Sequence, residues 1–271
     1  MKNYIEYNEF VNQLEKTVYK NAKADLLNKV ASNPDRYVGI FRPTSPEIKL
    51  IQNITQSHEI SFGDFVEDII TQYLGIFYQN MEKRNLYNGE VILFDQLFKY
   101  DGKIFMLEQK MRDDHDSTKK RGQFENFIKK VQYLHETYPD KFIVAGMWFV
   151  DPSLNKNKNY YKQMMNNNKA PNHELHLFYG NEFMNYLDKI SVWDEMIEYL
   201  IKWKQSDENK IILNFEDDWE ETKKEILEHV SKSNWIKLVK NKDVKREIFP
   251  ILFPTDKYKE ILKELEIESE D

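Results

Sequence analysis

The 271-residue chain has no cysteine. That excludes a disulfide scaffold, a cysteine-ligated zinc or iron–sulfur centre and a thiol nucleophile, and it fits an expected cytoplasmic location. Glycine and proline are scarce, at 8 each, which excludes collagen-like and low-complexity designs. No apolar run approaches the ~18 residues of a membrane span. The opening MKNYIEYNEFVNQLEK has acids where a signal peptide needs an apolar core, so no membrane association is expected. There is no surplus of positive charge: 39 Lys+Arg against 46 Asp+Glu leave −7. Proteins that coat nucleic acid without selectivity are usually basic, so any basic surface here must be local. No internal repeat occurs, and neither GxxxxGK[ST] nor a GxGxxG following a strand is found.

What is present is material for a large core: 41% hydrophobic residues and 14% aromatic. Apolar positions Phe10, Val11, Leu14, Val18, Ala22, Leu26, Leu27 and Val30 recur at helical steps, predicting one amphipathic helix from Tyr7 to Ala31. Asn33-Pro34 stops it. Residues 36–60 read as irregular. A second helix is expected from Ser61, with Phe65, Ile69, Tyr73, Leu74 and Phe77 on its stripe.

The middle of the chain changes period. EVILFDQLFKY, residues 90–100, reads as a strand; Asp101-Gly102 is a hairpin turn; KIFMLEQKMR, 103–112, is the returning strand. A polar stretch and a helix over 124–138 follow, then the nearly all-apolar FIVAGMWFV, 142–150. An apolar strand covered on both faces belongs in the centre of an α/β sheet, and strand–helix–strand order predicts a parallel pair. A short strand at 174–179 and helices near 181–204, 216–231 and 255–265 complete the reading. The fold class is α/β, a mixed sheet with an antiparallel hairpin and flanking helices.

The chemistry centres on Asp95 and Glu108-Gln109-Lys110. With 46 acids and 39 bases in 271 positions, about seven acid–x–base tripeptides arise by chance, so context must carry the motif. Glu108 and Lys110 close an apolar strand and, two apart, leave the same face. The hairpin brings Asp95 beside Glu108. Two carboxylates suit a hard cation, with Mg2+ foremost, and the main-chain carbonyl of Gln109 can add an oxygen. Such a cation polarises a phosphoryl oxygen and acidifies bound water. Lys110 can orient that water, stabilise the transition-state charge or accept a proton. A surface ion cluster at a strand end is the alternative.

In these residues the chain resembles the PD-(D/E)xK nuclease superfamily: Phe94-Asp95, twelve residues, then Glu108-Gln109-Lys110. Phe94 replaces the usual proline. A helix acid often completes such sites, and Gly63-Asp64-Phe65-Val66-Glu67 supplies it; Glu67 matches best, with Asp64 and Asp68 competing. The resemblance covers 61–150 as αβββαβ and implies a restriction-endonuclease-like fold and Mg2+-dependent phosphodiester hydrolysis leaving a 5′-phosphate. Size and the lack of a helicase or ATP motif favour a type II restriction endonuclease, and residues 107–127 resemble the HinfI group. The resemblance implies double-stranded DNA as substrate, a homodimer and a partner methyltransferase. On this reading residues 1–271 form a single nuclease domain whose segment 151–271 adds DNA recognition or dimerisation. A repair or junction nuclease of the same superfamily, or a non-catalytic DNA-binding protein, are the rivals.

Basic segments are the candidates for DNA contact. Lys119, Lys120 and Arg121 lie after the strand and just before the expected helix, where phosphates and helix-start amides can meet. Gln123 can contact DNA or the active-site water. A second metal site on His115 lacks a partner histidine at ligand spacing. From Pro152 to His173 there are four Lys, seven Asn and no acid. Lys156, Lys158 and Lys162 can meet phosphates and Tyr160 can stack. Solvated loops share both compositions. Residues 231–246 hold six bases and one acid, a DNA-facing helix or a solvated one with Trp235, Leu238 and Val239 in the core. The acidic ELEIESED terminus is expected to fray.

Overall fold

The computed structural model describes residues 3–205 and 213–267. The chain forms two compact units, each discontinuous in sequence: Met1–Val11 with Gly63–Trp203, and Asn12–Phe62 with Lys204–Asp271. Residues 151–203 therefore group with the sheet segment, whereas 204 onward groups with the early helices.

The early helices are α1 (Tyr7–Val18), α2 (Ala22–Ser32), α3 (Asp35–Val38) and α4 (Pro46–Phe77). The single helix expected over 7–31 is two. Asn21 takes a left-handed backbone at φ +60° and breaks it, a conformation asparagine tolerates better than most residues. The second helix starts not at Ser61 but at Pro46. Proline costs nothing at a first helical position, since its missing N–H would be unpaired there anyway, and Ser45 Oγ accepts from the Ile48 N–H at 3.4 Å.

The sheet segment runs β1 (Gln79–Asn80), β2 (Arg84–Tyr87), β3 (Glu90–Leu93), β4 (Gln96–Tyr100), β5 (Lys103–Lys110), α5 (Ser117–Thr137), β6 (Ile143–Phe149), α6 (Lys158–Asn167), β7 (His173–Tyr179), α7 (Glu182–Tyr186) and α8 (Ile190–Lys204). The central sheet has five strands in the order β1-β4-β5-β6-β7. β4 and β5 are antiparallel, joined at Asp101-Gly102 with φ +49° and +72°, as a two-residue turn of that hand requires. β5, β6 and β7 are parallel to one another. Every residue of β6 is buried, as its sequence predicts. Phe124, Phe127, Val131 and Leu134 of α5 share a core cluster with Ile104, Met106, Ala145 and Met147 of the sheet.

The long strand expected over 90–100 is broken. β3 pairs with β2 in a separate two-stranded sheet, β4 enters the central one, and Phe94 and Asp95 lie between. The turn at Asn88-Gly89, φ +51° and +82°, makes the β2–β3 hairpin.

The helices that follow are α9 (Trp219–His229), α10 (Lys232–Lys240), α11 (Lys242–Glu247), α12 (Phe249–Leu252) and α13 (Tyr258–Glu264). Their core joins that of α2: Leu26, Leu27 and Val30 cluster with Trp235, Leu238, Phe249, Phe253 and Ile261. Trp235 and Leu238 of the second basic segment are thus core residues. Residues 268–271 of the acidic terminus lie outside the described residues.

Candidate active site

The register Gln96↔Leu107 carries Asp95 to the level of Glu108. Where the ladder ends, the Gln109 N–H donates to Asp95 Oδ2 at 2.7 Å, so a side chain takes over where strand pairing stops. Lys110 Nζ lies 2.9 Å from Asp95 Oδ2 and 2.8 Å from Glu108 Oε1, and donates to the Gln109 carbonyl at 2.8 Å. Three oxygen donors from Asp95, Glu108 and Gln109 thus face one cationic nitrogen. That donor set is the hard-oxygen type Mg2+ takes, so these residues fit the implied cation. Burial pulls the Lys110 pKa down, but Glu108 and Asp95 raise it by more, and the net shift is upward.

A residue the sequence reading did not single out joins them. Lys130, on α5, reaches Glu108 Oε2 with its ammonium and comes within 4.0 Å of Asp95 Oδ1. Its side chain is 6% exposed. The only sequence signal is a lysine at a position where α5 turns its apolar stripe to the sheet, three residues after Phe127 and one before Val131.

Glu67 lies on α4 and is engaged elsewhere. Lys83 Nζ approaches its Oε1 at 2.5 Å, and its carbonyl accepts from Thr71 Oγ1 and Gln96 Nε2, both at 2.8 Å. Burial, with Asp95 adding, pushes its carboxyl pKa up against the pull of Lys83. Among the described residues no three His, Cys, Asp or Glu side chains gather as a metal group, so Glu67 does not make a third carboxylate beside Asp95 and Glu108. Asp64 and Asp68 are exposed. Gln96, fully buried, links the neighbourhoods: it donates to Gln109 Oε1 at 3.3 Å and accepts from Thr71 Oγ1.

The basic triplet lies within α5 rather than before it. The helix begins at Ser117 because Asp116 caps it, accepting from the Thr118 and Lys119 N–H groups at 3.0 and 2.9 Å, the preferred chemistry for this position. Those helix-start amides are therefore occupied. Lys119 and Arg121 are exposed. Lys120 lies 4.7 Å from the centre of the Tyr160 ring on α6. Gln123 accepts from Tyr161 OH at 2.9 Å, which commits its carbonyl to a structural contact. Lys158 covers the Tyr179 ring at 4.6 Å, while Lys156 and Lys162 are exposed.

Buried Asp113 joins the two segments. It accepts from the Asn157 N–H at 2.9 Å, from Asn157 Nδ2 at 2.8 Å and from Tyr179 OH at 2.8 Å. The basic island, for which a flexible loop was the alternative to a DNA contact, is thereby pinned, and its residues 158–167 form α6. The basic residues after β5 and those of α6 come together on adjoining elements.

A mixed sheet flanked by helices is the restriction-endonuclease-like architecture. The family model described as "Type II restriction endonuclease, HinfI" matches residues 6–90 and 76–204, and the chain belongs to this family. No curated protein matches the chain. Among the described residues, no helix is long and apolar enough to cross a membrane.

Proposed function

We propose that the protein is a Mg2+-dependent, sequence-specific endonuclease that hydrolyses phosphodiesters of double-stranded DNA and leaves 5′-phosphates. One observation carries the reading: oxygens of Asp95, Glu108 and Gln109 face a single cationic nitrogen at 2.8–2.9 Å, at a strand end, in a chain of a restriction endonuclease family. Asp95, Glu108 and the Gln109 carbonyl would hold the cation. When bound, Mg2+ supplies Lewis-acid charge to the phosphoryl group and a more acidic water.

The chain's own residues do the rest. Lys110 donates to the attacking water and to the charge that builds on the phosphoryl oxygens, where a preorganised donor is worth most. Glu67 assists from α4 through Gln96, whose side chain bonds both its carbonyl and Gln109. Lys119, Lys120, Arg121, Lys156, Lys158 and Lys162 hold phosphates, and Tyr160 stacks. Gln123 supports this face through Tyr161.

Cutting both strands of a symmetric site calls for a two-fold homodimer. A cognate methyltransferase protects cytoplasmic host DNA. The test is a digest of sequenced plasmid DNA in Mg2+ or EDTA with the ends mapped. Discrete fragments with a common sequence at their 5′-phosphate ends are expected in Mg2+ alone. Cutting that follows junctions or damage instead would mean a repair nuclease, and binding without cutting a decayed site; either overturns the reading.

A further inference from the structure

The charges around the carboxylate pair cancel. Asp95 and Glu108 contribute two negative charges, and Lys110 and Lys130 two positive ones. Both oxygens of Glu108 are taken, Oε1 by Lys110 and Oε2 by Lys130. Asp95 Oδ2 is shared by Lys110 and the Gln109 N–H. The freest oxygen is Asp95 Oδ1, and even it has Lys130 at 4.0 Å. Lys110 is explained by a role toward water and phosphate. Lys130 is not: it comes from another element and its ammonium addresses Glu108.

We propose that Lys130 is a resident counter-cation that competes with the divalent cation for Glu108 and sets how weakly the site takes metal. This rests on the reading of Asp95 and Glu108 as metal ligands. Mg2+ dehydrates reluctantly and is usually held by one or two carboxylates together with substrate phosphates. A pocket neutralised by two lysines offers it no surplus negative charge, and in a buried setting a like charge nearby acts at reduced dielectric. The scissile phosphate restores the missing charge. Cation loading is therefore coupled to DNA, and by linkage DNA binds more tightly with the cation present by the same factor. Lys130 acts through Glu108 and is a positioning residue.

Mn2+ binding to the DNA-free protein, followed by electron paramagnetic resonance, tests this without any cleavage measurement. The wild type is expected to bind Mn2+ only in the millimolar range. Lys130→Met should bind at least about tenfold more tightly. Lys130→Gln, which keeps a hydrogen bond to Glu108 without the charge, should behave like Lys130→Met, and Lys130→Arg like the wild type. Circular dichroism checks that each variant folds. Micromolar Mn2+ binding by the wild type overturns the proposal whatever the variants do, as does a folded Lys130→Met or Lys130→Gln with wild-type affinity. A wild type that cuts no DNA sinks the endonuclease reading instead, and leaves the Mn2+ comparison to be read by itself.

Discussion

Lys130 Nζ lies 5.9 Å from the centre of the Phe94 ring. The residue that stands where the PD-(D/E)xK superfamily usually has proline is thus an aromatic neighbour of the second lysine, on the approach to Asp95. An aromatic face attracts an ammonium, and Phe94 is itself buried.

The Lys130–Glu108 pair should show itself in stability. Both side chains are almost fully buried, and removing one partner of a buried pair strands the other charge, at a cost of about 3–5 kcal/mol. Glu108→Ala is expected to lose that much in urea unfolding, and adding Lys130→Met should return most of it. A double variant as unstable as the sum of the singles would show that the two charges do not depend on each other.

Lys110→Ala should leave the fold and DNA affinity nearly intact and lower single-turnover cleavage by roughly 10²–10³ or more, the usual worth of a transition-state donor. Cleavage within a few-fold of wild type would remove Lys110 from the mechanism.

Asp95→Ala and Glu108→Ala should each abolish Mg2+-dependent cutting, and the double variant should cut no worse than either single, because residues that act as a unit are not additive. Glu67→Ala should be milder, given its pairing with Lys83. Activity that persists in EDTA contradicts a shared cation site.

Neutralising Lys119 and Arg121 together should weaken specific and nonspecific DNA alike. The log–log salt slope should fall by about 1.8, at about 0.9 for each phosphate left without its cation. Lys120 is tethered over Tyr160, so its replacement should also disturb α6. An unchanged slope in the double variant refutes the phosphate role and leaves the carboxylate site untouched.

Acid should destabilise the fold through histidine. Burial holds His58 below its ordinary value of 6.5, and burial followed by His173 does the same for His135. His135 Nε2 lies 2.9 Å from His173 Nδ1 and its Nδ1 lies 3.2 Å from Asn172 Nδ2, so both of its ring nitrogens are already engaged. As pH falls through about 6.5, the unfolded chain takes protons that the native chain refuses, and stability drops. His135→Asn should flatten the melting temperature against pH between about pH 5 and 7. An unchanged curve counts against this pair as the cause.

The sheet was legible because its strands are extreme in composition: IVAGMWF can hardly be placed anywhere but a buried centre, and Asp101-Gly102 admits one kind of turn. The β2–β3 hairpin was missed although Asn88-Gly89 announces it, because EVILFDQLFKY alternates well enough to pass for one strand. That Asp95, Glu108 and Lys110 come together could be read because their spacing along two adjacent strands is local. Lys130 could not. It sits 20 residues beyond Lys110, on another element, among lysines that face solvent, and only the packing of α5 on the sheet reveals that this one points inward. Asp113 was hidden similarly, as one acid in a polar run whose partners lie 44 and 66 residues away.

The gap between β3 and β4 divides the chain into two regimes of tolerance to length change. A residue inserted at Asn88-Gly89 lengthens the tip of the β2–β3 hairpin, while Asp95 keeps its place because the opposite end of that hairpin holds, the Phe94 N–H donating to the Lys83 carbonyl at 2.9 Å. A residue inserted within β4 or β5 has no such release. It slips the Gln96↔Leu107 register by one, and in a strand a slip of one turns every following side chain to the opposite face. Relatives and engineered variants can therefore differ freely in the reach of the first hairpin, whereas the distance from Asp95 to Glu108 is fixed by the pleat.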